Sequence, residues 1–218
     1  MVAKCGGGTK PASKLAELGE GRRSAREAMR EICHICSVEL EPGLPTVDAL
    51  LKLPSRLALS LVLSLDGQLV GPDHSSRSIS GAEDLHWLRT LRASSDAVLV
   101  GAATAAAEGY KPFSVGAEFA PARRKYGLAV APQLVVLHSS DDLAAVRAGL
   151  GPRLLLEAGI RLHTALSQQV DRVWLSHSPT MTGDGGATFD FDLRDFQLVE
   201  RHVGQEFAVS RFERINRR

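Results

Sequence analysis

Five short segments bring together residue types that can do chemistry. Ser64-Leu65-Asp66-Gly67 sets a carboxylate before a glycine. Either it places a charge at a cleft mouth, or Asp66 closes a tight turn on its own backbone. Gly101-Ala102-Ala103-Thr104 offers a glycine where a strand could feed a helix, which lets a ligand approach the backbone and favours phosphate. The further glycines of a dinucleotide fingerprint are absent. Leu156-Glu157-Ala158-Gly159 repeats the pairing of carboxylate and glycine, the plain alternative for Glu157 being a solvated charge. Thr182-Gly183-Asp184-Gly185-Gly186 lacks the Lys-Ser/Thr pair of a phosphate-binding P-loop and reads as a connection. Cys33-His34-Ile35-Cys36 has metal-ligand spacing, but only Cys5 remains as a further thiol. A structural zinc needs four ligands, so no metal is expected and the pair reads as two ordinary thiols on a helix.

Composition narrows the classes. The chain has 218 residues, 44% of them hydrophobic, which is enough for one domain with a substantial core. Lys and Arg number 26 against 25 Asp and Glu, so no basic excess points to nucleic acid. The longest apolar stretch, Leu57 to Val70, is broken by Ser60, Ser64, Asp66 and Gln68 and does not suit a membrane span. The start lacks the order of a signal peptide, and three cysteines suit a reducing cytoplasm. A soluble, cytoplasmic protein is expected.

The segments must be held by elements, and the apolar pattern supplies them. Strands are expected over Leu57–Leu65, Ala97–Gly101, Gln133–His138, Arg153–Glu157 and Arg172–Ser178. Helices are expected over Gly81–Ala93, Ala102–Glu108, Asp141–Gly149 and Leu162–Gln169. Strands alternating with helices imply crossovers and a mostly parallel sheet flanked by helices. Phe196–His202 and Glu206–Phe212, split by Val203-Gly204-Gln205, read as a C-terminal antiparallel hairpin. Its Phe196, Phe207 and Phe212 either supply a homodimer interface or fill the core. Residues 1–54, ended by Glu41-Pro42-Gly43-Leu44-Pro45, read as a helical or disordered appendage, and 55–218 as the domain. In such sheets ligands gather at the carboxyl ends of the strands, where Asp66, Gly101 and Glu157 stand.

Five motifs in order carry a resemblance. They are Leu59-Ser-Leu-Val-Leu-Ser-Leu-Asp-Gly, Ser78-Ile-Ser, the run from Leu88 through Arg92 to Thr104, Leu155-Leu-Glu-Ala-Gly, and Val170-Asp-Arg-Val-Trp-Leu-Ser-His-Ser-Pro. From about Leu57 to Phe212 the chain resembles the reductase domain of the bacterial riboflavin-biosynthesis deaminase/reductase, in its stand-alone pyrimidine-reductase-like form. The resemblance implies an α/β fold like that of dihydrofolate reductase. It also implies NADPH-dependent reduction of a phosphoribosylamino-pyrimidine, a small heterocyclic substrate, and commonly a homodimer. By motif position it places Val62, Ser78, Thr104, Glu108, Ser139, Gly159, Ile160 and Arg161 along the cofactor, with Gly159 to Ala165 wrapping the pyrophosphate. Ser76, Arg92 and Glu157 fall on the substrate side, Arg92 suiting a phosphate. Asp66 and Glu157 are the catalytic candidates, Asp66 orienting or protonating near the reacting centre.

Three departures from the family stand in this chain. Ser78 replaces a common Trp, Ile160-Arg161 replaces a usual Pro-Thr after the glycine, and the interval from 139 to 154 is short. The alternatives are reduction of a dihydropterin or dihydrofolate, which rests on fold analogy, and a non-catalytic binding protein that has lost part of the cofactor site.

Overall fold

Every second residue of the central strands faces the same layer, and that period builds the molecule around one sheet. A computed structural model of the chain describes residues 38–138, 141–183, 187–189 and 191–215. The elements run β1 (Leu40–Pro42), α1 (Val47–Lys52), β2 (Leu57–Leu63), α2 (Ala82–Ala93), β3 (Ala97–Gly101), α3 (Ala102–Glu108), α4 (Ala120–Lys125), β4 (Gln133–Leu137), α5 (Leu143–Ala148), β5 (Leu154–Glu157), α6 (Ile160–Ala165), β6 (Arg172–His177), β7 (Phe196–Val203) and β8 (Ala208–Arg214). They form an eight-stranded sheet in the order β1-β7-β8-β6-β2-β5-β3-β4. Pairing is parallel from β6 through to β4 and antiparallel for β6 with β8 and β7 with β8. The expected mostly parallel sheet with a terminal hairpin is therefore present.

Leu57, Leu59, Leu61 and Leu63 lie in one core with Leu99, Leu154, Leu156 and Val173, packed under α5 and the residues that follow α6. The intervening Ala58, Val98, Leu155 and Trp174 lie in a second core under Trp87 and Leu91 of α2. Leucines that are fully buried contribute about 1.5–3 kcal/mol each. Burial on both faces is what parallel strands covered by crossover helices require. Phe196 and Phe207 are buried in these two cores, and Phe212 packs against the first, so the hairpin aromatics serve the interior.

The packed body reaches further back than the boundary expected at residue 54. β1 pairs in parallel with β7, Leu40 opposite Arg201. α1 is capped by Thr46, whose Oγ1 accepts from the Ala49 N–H at 3.3 Å. It buries Leu50 against Trp87, and Val47 and Leu51 beside Phe119 and beside Ala122 of the unexpected α4, which Phe119 precedes. The Cys33 and Cys36 pair lies outside the described residues. Among the described residues between β4 and β5, α5 is the only helix or strand. No described helix is long and apolar enough to cross a membrane.

Candidate active site

On α2 the buried positions Asp84, Trp87 and Leu91 follow helical spacing, so one acid occupies the stripe that faces the sheet. Asp84 is 7% exposed. Opposite it, alternation on β2 and β6 turns Val62 and Ser178 to the same layer as Ala58 and Trp174. The result is a cleft of about 370 Å³ at the carboxyl ends of β2 and β6. Val62, Ser78, Ser80, Asp84, Thr180 and Phe207 are among its lining residues. Burial pushes the Asp84 carboxyl above its ordinary value, although the hydroxyls of Ser80 and Ser176 favour the charged form. Ser80 Oγ donates to Asp84 Oδ2.

The rim of this cleft is clamped. Glu83, beside Asp84, accepts from the N–H groups of Gln205 and Glu206 at 2.8 and 2.7 Å. Glu206 in return accepts from the Glu83 N–H at 3.3 Å. A Cβ at Gly204 would stand 2.5 Å from the Glu83 carboxylate, so a side chain there would push that carboxylate off its clamp.

Glu157 and Arg92, both expected on the substrate side, meet each other. Arg92 donates from Nε and Nη2 to the two Glu157 oxygens at 2.7 and 2.5 Å. The Tyr110 hydroxyl donates to Glu157 Oε2 at 2.5 Å, and the Arg92 guanidinium stacks 4.8 Å from the Phe113 ring centre. Burial opposes the Arg92 charge, but the bonds and charge of Glu157 outweigh it and hold its pKa above the ordinary value. Burial, then the Glu157 charge, pushes the Tyr110 phenol well up. Glu157 is thus neither solvated nor open, being 6% exposed, and Arg92 is no surface arginine. This forked pair stands at the carboxyl end of β5.

Beside it, the β3–α3 and β5–α6 junctions touch, because β3 and β5 are neighbours with Val100 opposite Glu157. The Gly159 N–H donates to Thr104 Oγ1 at 3.3 Å. A Cβ on Gly159 would lie 3.2 Å from that oxygen, so glycine keeps the two junctions close and their backbone bare. Gly159 and Arg161 are exposed, and Ile160 opens α6. Such a bare cradle fits the diphosphate of a dinucleotide. Glu108, also expected along the cofactor, instead receives Ser75 Oγ at 3.2 Å and Arg77 Nε at 2.9 Å. Those contacts tie down the loop carrying Ser76 and Ser78, and Ser78 Oγ donates to Asp73 at 2.7 Å. Ser139 lies outside the described residues.

Asp66 accepts within its own turn, from Ser64 and its own backbone N–H, and also reaches beyond it. Its carboxylate accepts from Thr182 N–H at 3.2 Å and Gly183 N–H at 2.8 Å, across the sheet end. Hydrogen bonds from Ser64 and Thr182 hold its pKa at about 2, so it is a carboxylate at neutral pH and has no proton to give. Because the folded value is depressed, the anchoring is present above the usual carboxyl range and lost as pH falls towards about 2. Asp66→Asn is expected to raise amide exchange at Thr182 and Gly183 about tenfold at neutral pH, the loss of charge-assisted bonds. Unchanged exchange there would show that the loop is held by other contacts.

Sequence reasoning missed Asp84, Tyr110 and Phe113. Asp84 carried a signal, an acid inside an apolar stripe; the other two follow α3 in a stretch without periodicity.

Residues 56–147 match the family model of the RibD C-terminal domain. No curated protein sequence matches the chain. A pyrimidine reductase-like protein from Corynebacterium diphtheriae shares the fold, with a TM-score of 0.63 at 17% identity, covering 79% of this chain and all of that one. The Thermotoga maritima diaminohydroxyphosphoribosylaminopyrimidine deaminase/5-amino-6-(5-phosphoribosylamino)uracil reductase aligns at a TM-score of 0.54 and 15% identity. That alignment covers 73% of this chain and 57% of the two-activity chain. Dihydrofolate reductase from Enterococcus faecalis, solved with NADP(H), aligns at 0.55 and 12% identity over 74% of this chain and 98% of its own. At these identities the neighbours establish a common fold. The resemblance read from the sequence is borne out in architecture, and the family model it implies matches residues 56–147.

Proposed function

We propose, from the premise that residues 56–147 carry the RibD C-terminal domain, that the chain is an NADPH-dependent reductase of a phosphoribosylamino-pyrimidine in riboflavin biosynthesis. The observation that carries the reading is the cleft at the ends of β2 and β6, where Val62 and Ser78 share a wall with a buried carboxyl group of raised pKa. NADPH, when bound, supplies hydride to the sugar carbon. The bare junctions at Gly101–Thr104 and Gly159–Arg161 hold its diphosphate. The cleft holds the ring and sugar, so that positioning and exclusion of water do most of the work.

Opening a ribosyl ring to a ribityl chain breaks a carbon–oxygen bond, and the departing oxygen needs a proton. Asp84 is the group suited to supply it, because burial favours its neutral, proton-bearing form. The Asp66 carboxylate sets the 180–183 loop that closes the cleft, an orienting role. Glu157 and Arg92, locked in their forked pair, brace the carboxyl end of β5 beside the diphosphate junctions and hold the shape of the site.

The test is a fluorescence titration of the purified protein with NADPH, NADH in parallel. Saturable micromolar binding that favours NADPH is expected, and Arg161→Ala should weaken it several-fold through loss of a charge beside the diphosphate. An unchanged dissociation constant removes Arg161 from the site. No binding of either nucleotide up to millimolar concentration would overturn the reductase in favour of a binding protein on the same scaffold.

A further inference from the structure

Three arginines enter the sheet at its amino end, away from the cleft. Arg56 precedes β2, Arg153 precedes β5 and Arg172 opens β6, and β2 lies between the other two. The register sets Leu57 opposite Leu154 and Ala58 opposite Arg172, so the three stand close to one level. Each is two residues from a side chain of the core beneath α2, namely Ala58, Leu155 and Trp174. Alternation therefore turns all three to that same face, on strands about 4.8 Å apart. Together they line a cavity of about 40 Å³ closed by Leu50, Pro54 and the end of α2.

Their hydrogen bonding is incomplete. Arg56 Nε, Arg153 Nε and Arg172 Nη2 are buried and have no hydrogen-bond partner among the described residues. Arg172 is 6% exposed and spends Nε on Glu213 at 2.5 Å. Asp96 and Asp171, which directly precede β3 and β6, are committed to backbone: Asp96 to the Arg153 N–H at 2.8 Å and Asp171 to the Leu57 N–H at 3.1 Å. Of the three guanidinium groups only Arg172 is paired with a carboxylate among the described residues, Glu213, which also receives Arg211 at 2.6 Å. Burial, reinforced by the charges of Arg211 and Arg56, pushes the Arg172 pKa down against the pull of Glu213. Buried donors left unmade are costly, and like charges gathered without a counterion more so.

We infer that this cavity is a binding site for a phosphate-type oxyanion, separate from the reductase cleft, with Arg56, Arg153 and Arg172 as its donors. A tetrahedral oxyanion offers several acceptors to a space that would hold about three water molecules, and guanidinium forks match its geometry. Arg56 and Arg153 are only half-buried, so the mouth reaches solvent between them. The same chemistry arrives either as inorganic phosphate or as the phosphate of a small phosphomonoester.

The experiment is thermal unfolding in sodium phosphate, in ribose 5-phosphate and in sodium chloride at matched ionic strength. It compares the parent with the double variant Arg56→Gln/Arg153→Gln. Among the described residues these two form no ion pair, so the variant keeps its fold, and relief of the gathered charge leaves its Tm in chloride equal to or above the parent's. For the parent, a Tm rise of about 3–5 °C is expected at ten times the dissociation constant, and no rise in the variant. A response to inorganic phosphate alone identifies the free ion, and a response at lower concentrations of ribose 5-phosphate identifies the monoester. Equal Tm in all three salts overturns the site, the cavity then holding water only. A rise retained by the double variant also overturns it, because the anion is then bound in the cleft or its junctions.

Discussion

Asp84→Asn is expected to lower turnover by about two orders of magnitude or more while NADPH affinity stays within twofold. The asparagine keeps the shape and can still accept from Ser80, but it has no proton to release. Stability should move the other way. The folded carboxyl value is raised, so Asp84 contributes its full stability below the unfolded value and loses it as pH rises through the folded one. Near neutral pH the parent therefore bears the cost of a carboxylate in an apolar wall, and the variant does not. Tm equal to or above the parent's, together with collapsed turnover, separates a proton donor from a structural acid. The pH profile gives a second readout. Turnover of the parent falls as pH rises through the Asp84 value, and that limb vanishes from the residual rate of the variant. Parent-like turnover would exclude Asp84 and move the search for a donor to Tyr110.

Glu157→Gln is expected to cost stability as well as rate. The carboxylate is 6% exposed and receives two bonds from Arg92 and one from Tyr110. Removing one partner of a buried ion pair leaves the other charge uncompensated, at about 3–5 kcal/mol. Arg92 retains some exposure, 21% of its side chain, and solvent screening brings the cost below that range, to about 2–3 kcal/mol. For a chain of this length that is a Tm lower by about 5–10 °C. Turnover must be read well below that temperature, where it should fall more than NADPH affinity does. Arg92→Met in the Glu157→Gln background should restore much of the Tm without restoring rate. A Tm unchanged by the single substitution would mean that the forked pair is loose in solution, and parent-like turnover would take Glu157 out of the site.

The parts of this architecture that follow local rules were legible. The apolar runs of β2, β3 and β5 and the small residues at each strand end appear in the chain as written, and Gly101, Thr104 and Gly159 do converge. What depends on distant partners was not. β1 is three residues ending in Pro42, inside a proline-rich stretch that reads as a stop, and it exists because β7 pairs with it. α1 and α4 are six residues each, too short for a period, and are held by tertiary burial. Arg92 and Glu157 were each marked for a ligand, yet 65 positions apart they mark one another. Asp84 was concealed by the company it keeps, since acids in a first helical turn also complement the helix dipole.

The seating of β1 beside β7 bears on how the molecule comes into being on the ribosome. β2, the middle strand, gains β5 and β6 only when residues 154–177 have been made, and β6 stays an open edge until β8 follows. β1, synthesised before all of them, waits for nearly the whole described chain before Leu40 finds Arg201. Such distant closures make for slow folding and leave an apolar edge bare meanwhile. Ribosome stalling before β8 emerges is therefore expected to leave an intermediate with an open β6 edge, more sensitive to protease than the finished chain.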